Sequence, residues 1–516
     1  MTDIRSTQPE VVLRLRHISK SFGNLTANDD ISFDLRRGEV IALLGENGAG
    51  KTTLMNILFG HYIADSGDIE AFGRTLPPGK PRAAIEAGIG MVHQHFTLAD
   101  NLSVLDNISL GTESLWRLKS DRSAIRKRIL DLAQTFGLAV NPDARIADLS
   151  VGERQRVEIL KALYREAKIL ILDEPTAVLT PQETNALFDT LRRLVAEGLS
   201  VIFISHKLYE VLAVSHRVLV LRSGKLAAER ETGATSREEL AELMVGRPVT
   251  PPRVVPQQAG EPVWEMTGVT IRGKLGQKLL EDASLTLRAG EIIGIAGVSG
   301  NGQSTLADLI SGLVKPESGQ VRYRGQAIAN WHPAAMVSEG IARIPEDRHA
   351  VGLVGDMSVA ENVIAECYRQ PPFSKRGLID WSAARDFAQR IIRDYEVKCP
   401  SPQAITRLLS GGNMQKLILG RVLSPEPVLV LANQPTRGLD IGAVTYVHQQ
   451  LLAVRQRGGA VLLISEDLDE VLTLSDRVVV MYHGRLSSAM PRDAVSIQQL
   501  GLMMAGQDMR GEGYAA

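Results

Sequence analysis

The 516-residue chain is poor in cysteine, in long apolar runs and in net charge. Its two cysteines, Cys367 and Cys399, are too few for a disulfide framework and suit a reducing compartment. No apolar run approaches the ~20 residues of a membrane-spanning helix, and residues 1–10 are polar, unlike a signal-peptide core. The formal net charge of −1 gives no electrostatic case for nucleic-acid binding. We therefore expect no nucleic-acid partner, and we expect other chains to supply any passage across a membrane.

A glycine-rich phosphate loop occupies residues 45–52. The apolar run before it predicts a buried parallel strand at 40–44, and the residues after it predict a helix at 52–59 that stops at Gly60. In this setting the loop N–H groups and the helix N-terminus suit a polyphosphate, Lys51 reaches the β- and γ-phosphates, and Thr52 holds Mg²⁺. The alternative is a glycine-rich turn that matches by chance, which the flanking strand and helix disfavour. The predicted nucleotide-binding residues here are Gly45, Asn47, Gly48, Gly50, Lys51, Thr52 and Thr53.

The sequence contains an internal repeat. Residues 30–39 return as 282–291 and the phosphate loop returns at 297–304, an offset of 252, whereas residues 149–153 return at 409–413 with an offset of 260. The second copy therefore carries about eight extra residues, a number that surface loops absorb at little cost. We predict a first domain at 1–247, a proline-rich linker at 248–262, a second domain at 263–505 and a frayed tail at 506–516. The 44% of hydrophobic residues are enough for two cores.

Two acids end an apolar run of the first copy at residues 169–175. Asp173 is placed to hold Mg²⁺ through water, and Glu174 is placed to polarise the attacking water as general base. Alone, this pattern would indicate a buried strand that ends in two solvated acids. Its place about 120 residues after a phosphate loop favours the catalytic interpretation.

Three more side chains of the first copy are candidates. His206 ends the apolar run 201–205, and its imidazole can donate to a γ-phosphate, although a lone histidine is more often structural. Gln94 can contact Mg²⁺ and the attacking water, and its flanking histidines lack partners at metal-ligand spacing, so we reject a metal site formed by them. Phe22, which we place ahead of the first paired strands, can stack on adenine, and a buried core phenylalanine is nearly as good an interpretation.

A serine–glycine stretch at 149–153, which recurs at 409–413, completes the set. We call these two stretches the first and the second signature. Together with the phosphate loop, Gln94, the Asp173–Glu174 pair and His206, the recurring stretch makes the chain resemble the ATP-binding subunits of ABC transporters along nearly its whole length. The resemblance implies an α/β fold of two tandem P-loop ATPase domains, each with a mostly parallel sheet core, a β-subdomain and a helical signature subdomain. It implies ATP hydrolysis with Mg²⁺, the nucleotide lying between the phosphate loop of one domain and the signature of the other. The signature contacts would come from Ser410, Gly411 and Gly412.

The second copy is altered on its catalytic side. Glu346 stands where the first copy has Gln94, and Glu466 replaces His206. A neutral amide cannot act as a base and Glu466 would repel a γ-phosphate, so we expect essentially no turnover and only residual binding through Ser304 and the loop backbone. The altered site comprises Gly297, Gly302, Gln303, Ser304, Asn433, Gln434 and Glu466, with Gln303 in place of the lysine and Asn433 and Gln434 in place of the acids.

The signatures show the opposite asymmetry. Val151 replaces the first signature glycine of the first copy, whereas the second copy keeps both glycines, and Asp440 stands where the first copy has Thr180. If signatures act across an interface, as the resemblance implies, the intact first phosphate loop combines with the intact second signature into one working site. The altered loop and the altered signature then form one inert site.

Twin ATPase domains with a weakened second site are similar to the fused ATPase subunits of bacterial simple-sugar importers. Residues 91–96, 344–349 and 431–440 favour the branch that serves purine nucleosides and related ligands delivered by basic-membrane-protein-type lipoproteins. The resemblance implies two inner-membrane permease subunits, an extracytoplasmic solute-binding protein reached through them, and a peripheral position on the cytoplasmic face of the bacterial inner membrane. Residues 96–102 are expected to line the groove that receives a permease helix, or else to form an ordinary connecting loop.

Rival functions fit less well. The main alternative, a soluble twin-ATPase factor acting on ribosomes, usually has two competent sites and a long charged linker. A DNA-repair ATPase of related fold needs zinc-binding cysteine clusters, and a purely regulatory protein does not need the Asp173, Glu174 and His206 set. The basic run at 117–128 lies near acidic lipid headgroups or, as we favour, on a solvated helix face.

Overall fold

The computed structural model describes residues 10–23, 25–93, 96–112, 121–176, 179, 181–205, 207–246, 248, 254–273, 276–298 and 300–507. The chain divides into two compact units, Met1–Val249 and Thr250–Ala516. None of the helices in the described ranges has the length and apolarity to cross a membrane. Each unit combines an antiparallel sheet with a larger, mostly parallel sheet on which helices pack.

The first unit begins with two long paired strands and then alternates strands with helices. Its strands are β1 (Val11–Phe22), β2 (Leu25–Arg36), β3 (Val40–Gly45), β4 (Ser66–Ala71), β5 (Arg74–Thr75), β6 (Ile89–Val92), β7 (Ile169–Asp173), β8 (Ser200–Ile204), β9 (Arg217–Arg222) and β10 (Lys225–Glu231). Its α-helices are α1 (Lys51–Leu58), α2 (Pro81–Glu86), α3 (Val104–Ser109), α4 (Arg122–Phe136), α5 (Val151–Tyr164), α6 (Pro181–Ala196), α7 (Leu208–Val214) and α8 (Arg237–Val245), with 3₁₀ turns at Ile146–Asp148 and Thr232–Ala234.

The second unit repeats this plan with additions. Its strands are β11 (Pro262–Arg272), β12 (Lys278–Arg288), β13 (Ile292–Ala296), β14 (Ser318–Tyr323), β15 (Gln326–Ala327), β16 (Ile341–Ile344), β17 (Ser374–Lys375), β18 (Leu378–Ile379), β19 (Leu429–Asn433), β20 (Ala460–Ser465), β21 (Arg477–Tyr482), β22 (Arg485–Leu486) and β23 (Met490–Pro491). Its α-helices are α9 (Gln303–Ile310), α10 (Pro333–Ser338), α11 (Val359–Ile364), α12 (Trp381–Asp394), α13 (Gly411–Leu423), α14 (Ile441–Gln456), α15 (Leu468–Leu474) and α16 (Ile497–Met504). A π-helical turn spans Arg348–Gly352, and 3₁₀ turns lie at Thr406–Leu408 and Arg492–Ala494.

The strand orders of the two units correspond. In the first unit they are β2-β1-β4-β5 and β10-β9-β3-β8-β7-β6, and in the second β12-β11-β14-β15 and β16-β19-β20-β13-β21-β22, with β23 also pairing with β21. Strands β3, β6, β7, β8 and β9 pair in parallel, as do β13, β16, β19, β20 and β21. The carboxyl ends of β3, β7 and β8 therefore meet at one edge of the first large sheet, where parallel sheets bind ligands.

The central parallel strands of the large sheets are buried on both faces, which is why they read as unbroken apolar runs. On β7, Ile169 and Ile171 join the core beside the antiparallel sheet, whereas Leu170 and Leu172 join the core beneath the helices. All four are fully buried, and each such side chain stabilises the fold by roughly 1.5–3 kcal/mol. The alternation holds the strand in one position and delivers its last residue, Asp173, to the sheet edge.

The extra residues of the second copy fall in two places. The offset is 252 between Val92 and Ile344, the last residues of β6 and β16, and it is 260 between their strand partners Leu172 and Ala432. It is 255 where Ser103 and Ser358 form matching bridges, and 260 where their partners Arg145 and Ile405 lie. Three residues are thus added next to the Arg348–Gly352 turn and five in the region that contains the β17–β18 hairpin.

The structure changes both interpretations of Phe22, its place ahead of the paired strands and its alternative role in the core, and it moves the end of the predicted linker. Phe22 does not precede the paired strands but ends β1, where it pairs with Leu25, because β1 continues through the polar residues 19–21. Its side chain is 45% exposed and meets Tyr62 edge-on, so it is not a core phenylalanine. Pro262 belongs to β11 as its first residue, a position that needs no N–H donor. The tail residues 508–516 lie outside the described residues.

Candidate functional site

The first phosphate loop joins β3 to α1 with a backbone that requires glycine. Gly48 and Gly50 have φ angles of 84° and 100°. A Cβ on Gly50 would lie 2.2 Å from the carbonyl oxygen of Ala27, and one on Gly45 would lie 2.5 Å from that of Leu221. The loop is therefore pressed against its neighbours on its outer side, so that any side chain at these two positions would displace it.

Lys51 begins α1 and lies folded into the loop. Its ammonium group donates to the carbonyl oxygens of Gly45 at 2.6 Å and Glu46 at 3.1 Å, and the residue is 6% exposed. Burial lowers the pKa of Lys51, and the negative charges of Glu174, Asp173 and Glu46 act in the opposite direction. The lysine predicted from the motif and the two acids predicted about 120 residues later thus lie in one electrostatic site.

The acid pair stands at the carboxyl end of β7. Burial and the charge of Glu174 raise the pKa of Asp173, while Lys51 lowers it. Glu174 has a φ of 48°, an unusual value for a residue with a side chain, and its N–H donates to the carbonyl of Ile204 on β8 at 2.9 Å. The strained turn is held by that bond and turns the chain sharply directly after the last strand residue.

Two polar side chains that sequence reasoning missed support this edge. Glu210, fully buried in α7, accepts from Thr176 at 2.6 Å and from Ser205 at 2.8 Å, and so ties the residues after β7 to those after β8. Asn28, also fully buried, donates to the carbonyl of Gly50 at 3.1 Å. No local pattern identifies either contact with the site, because Asn28 lies 22 residues from Gly50 and Glu210 lies 34 residues from Thr176.

The second phosphate loop keeps the backbone and changes the side chains. Gly300 and Gly302 have φ angles of 86° and 115°, close to those of the first loop. Gln303, 8% exposed, donates to the carbonyl of Val298 at 2.9 Å and accepts from the N–H of Asn301 at 3.1 Å. The Asn301 amide donates to the same carbonyl at 2.9 Å. Amide groups therefore occupy the interior of the loop, and no lysine charge is present there.

The second acid position is likewise a change of side chain on an unchanged backbone. Gln434 has a φ of 48°, as Glu174 has, and its N–H donates to the carbonyl of Ile464 at 2.8 Å. Asn433 is 4% exposed, and Glu466 is exposed and donates its backbone N–H to the Gln434 side chain at 3.4 Å. Neither amide can accept a proton as a general base does.

The first signature is acidic. Ser150 caps α5, and Glu153 completes a capping box by accepting from the N–H of Ser150 at 2.9 Å. A Cβ on Gly152 would lie 2.4 Å from a carboxylate oxygen of Glu183. Two carboxylates therefore crowd a helix N-terminus that would otherwise attract an anion, and Val151 adds an exposed apolar side chain.

The second signature lacks those acids. Ser410 caps α13 and accepts from the Asn413 amide at 2.8 Å, so the capping partner is neutral. Ala443 stands in place of Glu183, and a Cβ on Gly412 would lie 3.4 Å from its methyl group. Asp440 caps α14 by accepting from the N–H of Ala443 at 2.7 Å. Ser410 is exposed, and one carboxylate also stands near the start of α13, because a Cβ on Gly412 would lie 3.7 Å from Oδ2 of Asp440.

The remaining predicted residues are placed as follows. Thr52 is exposed and Thr53 half-buried in the first turn of α1, and Ser304 is exposed in the same position of α9. Gln94 and His206 lie outside the described residues, as does Thr180. Within the basic run, Arg122, Arg126 and Arg128 pair with Asp106, Asp143 and Glu166, as expected of a solvated helix face.

Comparison with known proteins decides the family. The family model described as ABC transporter matches residues 28–177 and 280–437. The nucleoside import ATP-binding protein NupA of Lactococcus lactis is 43% identical over 96% of this chain and 98% of its own length. The guanosine import ATP-binding protein NupO of Bacillus subtilis is 44% identical over 98% of this chain and 99% of its length, and a ribose import ATP-binding protein of Rubrobacter xylanophilus is 39% identical over 96% and 99%.

The chain belongs to the ABC transporter family. It carries the family's ATPase domain twice, so the predicted α/β fold class and ATPase activity are confirmed. ATP is the nucleotide of this family, and the glycine-lined loop with buried Lys51 and the Asp173–Glu174 pair fits a nucleoside triphosphate. These relatives are import ATP-binding proteins, and they do not favour the ribosomal alternative.

Proposed function

We propose that this chain is the ATP-hydrolysing subunit of an importer for a nucleoside or a simple sugar, with one competent and one inert nucleotide site. Residues 1–247 form the competent half and residues 263–505 the altered half, joined by the linker 248–262. The first phosphate loop and the second signature make up the working site. Two permease subunits carry the solute, received from an extracytoplasmic binding protein, and the chain works at the cytoplasmic face of the inner membrane.

One observation carries the proposal: the defects of the two halves are complementary. Lys51 and the Asp173–Glu174 pair share one electrostatic site in the first half, whereas the second half has Gln303, Asn433 and Gln434. At the signatures the altered half is the first one. The capping position beside Ser150 holds the carboxylate of Glu153, whereas the one beside Ser410 holds the neutral amide of Asn413. Such a distribution makes sense if each site draws on both halves, because all intact parts then fall into a single site.

Within that site each residue has a defined task. Lys51 and the α1 N-terminus hold the β- and γ-phosphates, Thr52 and Asp173 hold Mg²⁺, and Glu174 accepts the proton of the attacking water. Gln94 and His206 contact the water and the γ-phosphate. Ser410 and the N–H groups of Gly411 and Gly412 approach the γ-phosphate from the opposite side. Phe22, exposed at the end of β1, stacks on the adenine.

The solute class follows from the relatives. Two of those that cover nearly the whole chain are named for nucleoside and guanosine import, at 43% and 44% identity, whereas those named for glucose and ribose import are 42% and 39% identical. We therefore place nucleosides ahead of simple sugars. Equilibrium binding of the cognate solute-binding lipoprotein, once it is identified by its co-purification with the assembled transporter, to a panel of nucleosides and sugars tests the choice, and a preference for a sugar would reverse it.

A groove of the first unit is the proposed permease contact. It has a volume of about 200 Å³ and is lined among others by Phe59, Met91, His93, Thr97, Glu158 and Lys161. Glu158 is 5% exposed and accepts from the Thr97 N–H at 2.6 Å and hydroxyl at 2.9 Å, so it fixes the start of residues 96–102 against α5. A permease helix lying in this groove would contact the segment that follows Gln94.

The decisive test replaces the serine of each signature by arginine in two separate variants. Ser410→Arg places a bulky side chain where the second signature meets ATP, and we expect it to abolish ATPase activity as completely as Glu174→Gln. The matched control, Ser150→Arg, alters the inert site and should retain most of the turnover. Near-normal phosphate release from the purified Ser410→Arg protein would show that the second signature does not complete the first site.

A further inference from the structure

Charged side chains link two loops of the second unit that lie about 90 residues apart. Arg437, in the loop after β19, forms an ion pair with Glu346, in the segment after β16. Arg348, two residues further along that segment, donates to the carbonyl oxygen of Arg437. The segment after β16 is therefore joined twice to the loop that leads from Gln434 to Asp440.

Arg348 also reaches the second signature. A Cβ on Gly411 would lie 3.8 Å from Arg348 Nε, and a Cβ on Gly438 would lie 3.1 Å from Arg348 Nη2. Gly411 is the first residue of α13, directly after the cap Ser410, and Gly438 lies two residues before the α14 cap Asp440. One guanidinium group thus stands against both the start of the signature helix and the loop beside it.

The acids near Arg348 have other partners. Glu346 pairs with Arg437, and Asp347 caps the Arg348–Gly352 turn by accepting from the N–H groups of His349 at 2.8 Å and Ala350 at 2.9 Å. Burial lowers the pKa of the Arg348 guanidinium, and the charge of Asp347 partly offsets this effect. Arg348 directs its hydrogen bonding to a backbone carbonyl, and its positive charge stays beside a helix N-terminus.

We propose that Arg348 is a positioning residue for ATP hydrolysis at the first phosphate loop. It fixes the start of α13 relative to the 434–440 loop, so that Ser410 and Gly411 are presented in one geometry. The inference rests on the proposed function, in which the second signature completes the first site. The planar guanidinium donates to the carbonyl oxygen of Arg437 while it lies beside the start of α13, and the compact ammonium of a lysine does not reproduce this shape.

In the first half, the arginine beside the signature lies within α5 itself, because Arg154 donates to the carbonyl oxygens of Ala147 and Leu149, both at 3.2 Å. There the described neighbours of the α5 N-terminus include the carboxylates of Glu153 and Glu183. The second copy gains three residues in the same stretch that holds Arg348. The insertion and the arginine occur together in the half whose signature is intact and whose own hydrolytic groups are replaced.

Steady-state kinetics of the full-length chain test the proposal. Arg348→Ala should lower kcat by about 10- to 100-fold, since a small misplacement of a catalytic contact has effects of this size. KM and the Kd for ATP, measured with Glu174→Gln in the background, should change less than about twofold, because Lys51 still binds the phosphates. Arg348→Lys should recover part of kcat. The control Arg407→Ala removes an exposed arginine of the same unit that pairs with Asp356 and should leave kcat and KM unchanged.

Three outcomes overturn the inference: normal kcat in Arg348→Ala, an equal fall in Arg407→Ala, or a loss of ATP binding that accounts for the whole effect. If Arg348→Ala melts at a lower temperature, Arg348→Lys decides, because a folded lysine variant with full kcat also overturns it. Ser410→Arg distinguishes a failure of the role of Arg348 from a failure of the composite site. An inactive Ser410→Arg protein with a normal Arg348→Ala protein refutes the role of Arg348 alone, whereas an active Ser410→Arg protein refutes the composite site itself.

Discussion

The two phosphate loops of this chain have nearly the same backbone and different chemistry. Gly48 and Gly50 have φ angles of 84° and 100°, and Gly300 and Gly302 have 86° and 115°. Inside the first loop lies the ammonium group of Lys51, and inside the second lie the amides of Asn301 and Gln303. The comparison teaches that loss of catalytic side chains has not loosened the loop, since hydrogen bonds from neutral groups keep its shape.

The sharpest way to break the comparison is to remove the base. Glu174→Gln should reduce ATP hydrolysis by ~10²–10⁴-fold, because an amide cannot take the proton of the attacking water. The mirror change, Gln434→Ala, should leave the rate unaltered. Phosphate release by the two purified proteins under saturating ATP measures both. A similar fall in both variants would mean that the second half hydrolyses ATP as well.

A second test introduces a negative charge at Asn433, the last residue of β19. Asn433→Asp puts a carboxylate at a 4% exposed position in a half whose phosphate loop has Gln303 and no lysine. We expect it to destabilise the second unit by about 1–3 kcal/mol, the usual cost of a buried polar group without a compensating partner. Calorimetric melting should show one lowered transition. Asn433→Ser, which adds no charge, is the control, and equal melting of the two variants would contradict the electrostatic reason.

The matching change in the first half should have the opposite sign. Burial and Glu174 raise the pKa of Asp173, so its charged form is disfavoured in the folded chain. Asp173→Asn should therefore raise the melting temperature at neutral pH. The folded wild type binds the proton more readily than the unfolded chain, so this gain should shrink as pH falls through the raised pKa towards the ordinary value near 4. A gain independent of pH would contradict the linkage.

The smallest effect is expected from restoring a single charge. Gln303→Lys returns the lysine to the second loop, but Asn433 and Gln434 remain and supply neither a magnesium ligand of the right charge nor a base. The purified variant should hydrolyse ATP at the wild-type rate. A doubled rate would show that the lysine alone had limited the second half.

The sequence was sufficient for those parts of the fold that depend on neighbours along the chain. The predicted strands at 40–44 and 169–173 are β3 and β7, and the helix predicted from residue 52 begins at Lys51. Fully buried parallel strands give unbroken apolar runs, and a glycine-rich loop between strand and helix has few alternatives. The position of Phe22 was predicted wrongly because a polar end of β1 looks like a loop.

The remainder of the site depends on residues distant in sequence. Glu210 accepts from Thr176, the Glu183 carboxylate lies against Gly152, and the Arg348 guanidinium lies beside Gly411 and Gly438. Glu210 and Glu183 are ordinary surface-type residues, and the stretch 344–349, which contains Arg348, gives no indication of the contacts of Arg348 with Gly411 and Gly438. Only the packing of sheet against helices brings these pairs together, and one sequence read from end to end contains no signal for it.

The turn at Gln434 has a practical consequence. Its φ of 48° and its 2.8 Å bond to Ile464 match the φ of 48° and the 2.9 Å bond to Ile204 at Glu174. An engineer who wished to equip the latter half of the chain for chemistry would not need to rebuild any main chain there. The work would be confined to exchanging a handful of functional groups, and to supplying a partner signature free of the carboxylates that now surround Gly152.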